Sequence, residues 1–138
     1  MQQLNEKYKL FMLMPTATKT STYTTSAVEV DFGINDEIIA TALVGAVATA
    51  AGDTCTITIT GSTTTGGTYT TVATIPGVAL GNGGGNEMAS AVFKRGVNRF
   101  FKGVLTIVSA SSPSFQVTLI LQAAAAQQGG SLNSGSLV

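Results

Sequence analysis

Residues Thr54–Gly61 read Thr-Cys-Thr-Ile-Thr-Ile-Thr-Gly, and this stretch constrains the fold more tightly than any other in the chain. Side chains of an extended backbone point alternately to opposite faces. Cys55, Ile57 and Ile59 therefore share one face, and Thr54, Thr56, Thr58 and Thr60 share the other. The segment is a strand with an apolar side to bury and a hydroxyl-bearing side to expose. Its register is pinned, because a slip of one residue would turn both isoleucines toward water.

Further segments follow the same logic. In Ala27–Phe32, Val28, Val30 and Phe32 oppose Glu29 and Asp31. Ile38–Val47 is almost continuously apolar, which fits either a short helix or a strand buried on both faces; Thr41, Val44, Val47 and the interrupting Gly45 favour the strand. Tyr69–Ile75 alternates, with Tyr69, Thr71, Ala73 and Ile75 on one side. Met88–Phe93 is a plausible short strand, and Phe100–Val108 and Ser114–Gln122 are strong ones. In the last of these Phe115, Val117, Leu119 and Leu121 share a face, and Ile120 interrupts the polar one. Between the strands lie turn-forming stretches: Gly33–Glu37, Ala48–Asp53, Ser62–Thr68, the Gly-rich Pro76–Asn86, the charged Lys94–Arg99, and a Ser-rich turn with Pro113. About seven or eight short strands with turns between them indicate an all-β fold, an antiparallel sandwich or jelly roll.

The ends are patterned differently. Met1–Ser26 holds one apolar run, Leu10–Met14, followed by a Thr/Ser-rich stretch, and Ala123–Val138 has no periodicity. The expected organisation is an N-terminal arm over 1–26, a β domain over 27–122 and a C-terminal tail over 123–138. Segments of such composition bury too little to order on their own.

Composition narrows function. The chain has 138 residues, enough for one domain with a real core, and it has no His, no Trp and one Cys. Without His there is no Ser-His-Asp or Cys-His arrangement, and one Cys cannot build a zinc site. No Ser sits in a recognisable motif with Lys94 or Lys102. Asp31, Asp36 and Glu37 form the one acidic cluster, but their spacing matches no calcium loop. Glu29 and Asp31 share a strand face without sugar-binding aromatics beside them, so a solvated face explains them better than paired catalytic carboxylates. The Gly81–Gly85 stretch is followed by Glu87 and Met88, where a phosphate loop would need Lys-Ser/Thr. Cys55 has no cation nearby in sequence and reads as a buried, inert thiol. No enzyme, cofactor or metal is expected.

Hydrophobic residues make up 44% of the chain and charged residues 10%, against roughly 25% charged in an ordinary soluble domain. Seven cations cancel seven anions. A surface with so little charge is weakly protected against association, which suggests that partners cover it. Leu10–Met14 is too short for a signal-peptide core, and Ile38–Ala51 is shorter than the ~20 residues that span a bilayer. The expectation is a soluble chain made in a cytoplasm, with no membrane partner.

Lys94, Arg95, Arg99 and Lys102 form a basic cluster interleaved with Phe93, Phe100 and Phe101. Three explanations stand: core phenylalanines with cations on a turn, a contact to an acidic protein surface, or a small nucleic-acid platform. The neutral total charge argues against nucleic acid. Asn82 and Asn86 flank the glycine-rich loop and join the cluster as candidate partner-binding residues.

Three stretches in order carry a resemblance: Ile57–Thr71, the aromatic strand entry Asn98–Phe101, and the closing strand Phe115–Gln122. Over Ala27–Gln122 this pattern is similar to small virion structural proteins of tailed bacteriophages, the decoration or cement proteins on the outside of the capsid shell. The resemblance implies a jelly-roll-like β module, often trimeric, that clamps capsid subunits. The major capsid protein is then the partner, further copies of the chain complete a homotrimer, and the site of action is the capsid surface of the virion. The chain departs from the family in its low charge and its long, weakly patterned ends. Alternatives are a tail or head–tail structural protein, or a virion-surface carbohydrate-binding module using the threonine face with Tyr23 and Tyr69.

Overall fold

A computed structural model describes residues 8–30, 34–48, 53–78, 86–108 and 113–125. These form nine strands: β1 Tyr8–Lys19, β2 Tyr23–Thr24, β3 Val28–Glu29, β4 Ile34–Ala48, β5 Thr54–Ser62, β6 Thr70–Val78, β7 Asn86–Lys94, β8 Phe100–Val108 and β9 Ser114–Ala125. They build two antiparallel sheets. The front sheet has the order β1-β9-β4-β7, and the back sheet has β2-β8-β5-β6, with β3 also paired to β8. β2 and β3 run along successive parts of β8, opposite Leu105–Val104 and Phe101–Phe100. Counted as one interrupted strand, they leave eight strands in two four-stranded sheets of jelly-roll order, with β5 and β6 the one consecutive pair that stays in the same sheet. The fold is an all-β jelly-roll sandwich.

The core lies between the sheets and follows period two. Along β5, Cys55, Ile57 and Ile59 are buried and the four threonines are half-exposed, as the alternation requires. They meet Phe101 and Leu105 of β8, and, from the front sheet, Val117, Leu119 and Leu121 of β9 with Ile38, Ala40, Ala42 and Val44 of β4. Phe93 of β7 and Phe101 of β8 cross the gap with ring centroids 5.6 Å apart and planes at 52°, a tilted aromatic pair. Gly103 of β8 is buried beneath Leu119, and a methyl group there would collide with that side chain.

The gap between β2 and β3 is closed by Thr25. Its N–H donates to Gly103 O (2.9 Å), and the Gly103 N–H donates to Thr25 Oγ1 (3.0 Å). The threonine hydroxyl stands in for a missing backbone acceptor and in turn donates to Ser26 O (2.8 Å).

The expected boundaries move. Most of the segment expected to be an arm belongs to the sandwich: β1 lies along β9 from Tyr8↔Ala124 to Lys19↔Phe115, and β2 joins the back sheet. The physical reason is a pair of bulges, between Met12 and Met14 and between Met14 and Ala17. They put Leu13 and Met14 side by side in the core and erase the alternation that marks a strand in sequence. At the other end β9 runs to Ala125, past the expected limit at 122. Residues 1–7 and 126–138 lie outside the described residues. Ile34–Glu37, read as part of a turn, opens β4, while β3 spans only Val28–Glu29 of the strand expected at Ala27–Phe32. β6 continues through Pro76 to Val78, where a loop was expected. Bulges on β6 also turn Thr71 outward opposite Thr60, off the face it was expected to share with Ala73 and Ile75. Proline is tolerated there because β6 is an edge strand with a bulge at that point, and Pro15 of β1 has the same setting.

Candidate interaction surfaces

The basic residues sit at one end of the sandwich. β7 ends at Lys94, and the turn Arg95–Asn98 crosses from the front sheet to β8 in the back sheet. Asn98 N–H donates to Arg95 O (3.1 Å), and Gly96 adopts φ +57°, a value that glycine takes without strain. Asp36 holds this turn: its carbonyl accepts the Arg95 N–H (2.6 Å) and its Oδ1 accepts the Gly96 N–H (2.8 Å). That gives one member of the acidic cluster a structural task. Asp31 lies outside the described residues.

The four cations do not act alike. Lys94 is exposed beside Glu37 on the adjacent strand. Arg95 is half-buried and donates from Nη1 to Asn98 O (3.3 Å). Arg99 pairs with Glu29, with Nε 2.6 Å from Oε1 and Nη2 closing on the same oxygen. Lys102 points from the back sheet's outer face, its Nζ 4.2 Å from the centre of the Tyr69 ring. Phe93 and Phe101 are in the core and Phe100 is half-buried, so the interleaved aromatics offer no open stacking platform for bases. Asn86 pairs with Gly45 at the far end of β7, about 26 Å along the strand from Lys94 at ~3.3 Å per residue. Asn82 lies outside the described residues. The described candidates therefore fall at opposite ends of the sandwich, the four cations at one and Asn86 at the other.

The two outer faces of the sandwich differ sharply. On the back sheet Thr54, Thr56, Thr58 and Thr60 line β5, flanked by Thr74 opposite Thr58 and by Lys102 and Thr106 of β8. On the front sheet Leu10 and Met12 of β1, Ile39 and Leu43 of β4, and Met88 and Val92 of β7 are 39–70% exposed. Pairing sets them in rows across the sheet: Leu10–Gln122–Ile39–Val92, Met12–Ile120–Thr41–Ser90, and then Thr118–Leu43–Met88. The Ile38–Val47 run was read as buried on both faces, but only its Ile38–Val44 side reaches the core. Ile39 and Leu43 face outward. A shallow groove crosses the end of this face between Thr16, Leu43, Met88 and Gln116, where Gly45 contributes no side chain.

Sequence reasoning did not single out this face as a site. The signals were present in the two-sided apolar run and in Ile120. Reactive chemistry is sparse by comparison. Cys55 is buried, and desolvation pushes its thiol up to about 12. Among the described residues no group of three or more His, Cys, Asp or Glu side chains could hold a metal ion. Tyr23 and Tyr69, the candidate sugar-stacking rings, each carry a lysine ammonium over one face: Lys19 at 3.5 Å and Lys102 at 4.2 Å.

No protein-family model matches the chain, and no curated protein does. Solved structures share its fold. A chain of the infectious bursal disease virus Gx strain superposes with a TM-score of 0.58 at 15% identity, covering 90% of this chain and 32% of that one. The PBSX exported protein XepA gives 0.54 at 16% identity, covering 94% and 42%. The dimeric latent PorU from Porphyromonas gingivalis gives 0.55 at 10% identity, covering 86% and 12%. This chain thus spans less than half the length of each neighbour. At these identities the likeness is one of fold, shared by viral and non-viral proteins.

Proposed function

We propose that the chain is a structural virion protein, a decoration or cement protein that binds the outer surface of a phage capsid and stabilises the shell. The observation that carries this reading is a jelly-roll sandwich with a broad apolar outer face. Such a face is made for contact. The virus chain among the structural neighbours supports the same reading, as does the sequence resemblance to phage decoration proteins. The partner is the major capsid protein, the mechanism is burial of surface without catalysis, and the protein resides on the capsid exterior. Apolar burial contributes about 25 cal/mol per Å² removed from water. Repeated attachment points on a symmetric shell add avidity without new contacts.

The test is co-sedimentation of the purified chain with undecorated phage capsids, followed by thermal disruption of the shells. The expected result is saturable binding and a higher disruption temperature. Absence of binding, or binding that leaves shell stability unchanged, would remove the decoration role.

A further inference from the structure

We infer that the front sheet's outer face is a twofold contact between two copies of this chain, packed face to face. The first support is the composition of β4. It lies between β9 and β7 and is apolar on both sides, the pattern of a strand covered on both faces. The described residues cover one side only. Ile39 and Leu43 on the other side remain open, continuous with Leu10 and Met12 on β1 and with Met88 and Val92 on β7.

The second support is area. Three rows about 6.8 Å apart, across four strands about 4.8 Å apart, present a face of roughly 400 Å² in projection, with Gln122, Thr41, Ser90 and Thr118 set among the apolar side chains. That is about half of the ~800 Å² per partner of a standard stable interface, before the relief of the side chains and the rim is added.

The third support is charge. Within the three rows every outward residue is uncharged, and Glu37, Glu87 and Lys94 stand at the rim. A face without a sign does not select a charged partner, and it meets its own copy without like charges opposed. Two such sheets stack about 10 Å apart in the manner of the sandwich core itself.

Symmetry fixes the stoichiometry. An isologous contact uses the same patch on both subunits and closes as a dimer, whereas a threefold ring needs a second, different patch that complements the first. The back face, with threonines along β5 and Lys102, Val104, Thr106 and Val108 opposite them on β8, is mostly polar and matches an apolar sheet less well than a second copy of that sheet does. The twofold contact therefore takes the place of the trimer that the phage resemblance implies. It uses the same apolar face that carries the capsid reading, so capsid attachment would displace it; sedimentation of the free chain and co-sedimentation with capsids read the two separately.

Sedimentation of the full chain across a wide concentration range reads the outcome. The expected species has twice the 14.0 kDa chain mass. Leu10→Lys and Leu43→Lys, made separately, raise its dissociation constant at least tenfold with unchanged circular dichroism, while Thr58→Lys on the back face leaves it as it was. A monomer at all concentrations, or a trimer, overturns the inference. So does a dimer that withstands Leu10→Lys but fails with Val92→Lys, because Leu10 lies three strands from β7 and that result would mean edge pairing through β7.

Discussion

The two outer faces of this sandwich are built on the same inner core and have opposite surfaces. On β5 of the back sheet the period-two alternation is complete, isoleucines in and threonines out, although Val104 and Val108 of β8 also face outward. On the front sheet it is incomplete, with apolar residues outside as well as in. A strand needs only one apolar face to fold, so the second apolar face on β4, β7 and β1 is surplus to folding. The difference teaches that the core and the apolar outer face are specified by separate sets of residues, interleaved one by one along the same strands.

The largest effect is expected where both sheets depend on one side chain. Phe101→Ala empties a fully buried site facing Phe93 and should cost about 3–5 kcal/mol in denaturant unfolding. A loss below ~1 kcal/mol would mean that the sheets do not share this core.

Next comes a contrast between threonines of the same sheet. Thr25→Val removes the acceptor of the buried Gly103 N–H and should cost about 1–3 kcal/mol. Thr56→Val with Thr58→Val, on the open back face, should change unfolding by no more than ~0.5 kcal/mol per site. The same pair makes the back face resemble the front, so sedimentation should reveal species larger than those of the parent. Equal stability losses for buried and open threonines would erase the distinction between the faces.

A smaller effect depends on pH. The Cys55 thiol ionises near 9.0 when exposed and near 12 in the fold. Between those values the unfolded chain binds fewer protons than the folded one, so this group makes stability fall as pH rises above about 9. Below pH 9 it contributes no pH dependence. Cys55→Ala should therefore flatten the alkaline limb of the melting curve relative to the parent, and thiol reagents should label the native parent slowly at pH 8. Rapid labelling would show that this β5 face opens to water.

The smallest effect concerns the basic turn. Glu29 and Arg99 are 45% and 41% exposed, so Arg99→Ala should cost at most about 1 kcal/mol, and less at high salt. A larger, salt-insensitive loss would mean that Arg99 holds the turn by other means.

Legibility in the sequence tracked regularity. Phe100–Val108 coincides with β8, and Thr54–Gly61 misses β5 by one residue, because neither strand carries an internal shift against its partner in the β5–β8 pairing. β1 was missed because its bulges place Leu13 and Met14 consecutively in the core, which no periodic template matches. Pro76 hid the end of β6 for a related reason, since proline signals a loop except at a bulged edge. The basic cluster was visible as residue types, but the Glu29–Arg99 pair joins positions 70 apart, which only the β3–β8 pairing brings together. The apolar face was half legible: the run from Ile38 announced two apolar sides, but sequence alone does not say which of them faces the core.

One feature of the topology governs how the chain reaches this state. Of the strand pairings among the described residues, β5–β6 alone joins neighbours in sequence, while β1–β9 brings together Tyr8 and Ala124 from nearly opposite ends of the chain. Closing such long loops costs entropy before any contact repays it, and folding dominated by non-local pairs runs in roughly milliseconds to seconds. The β5–β6 hairpin is the natural first structure, and β1 is the last strand with a complete seat to fill. Until β1 docks, the edge of β9 stands open, so the danger during synthesis is a wrong β1 from a neighbouring chain. Dilution during refolding should therefore raise the yield of native protein.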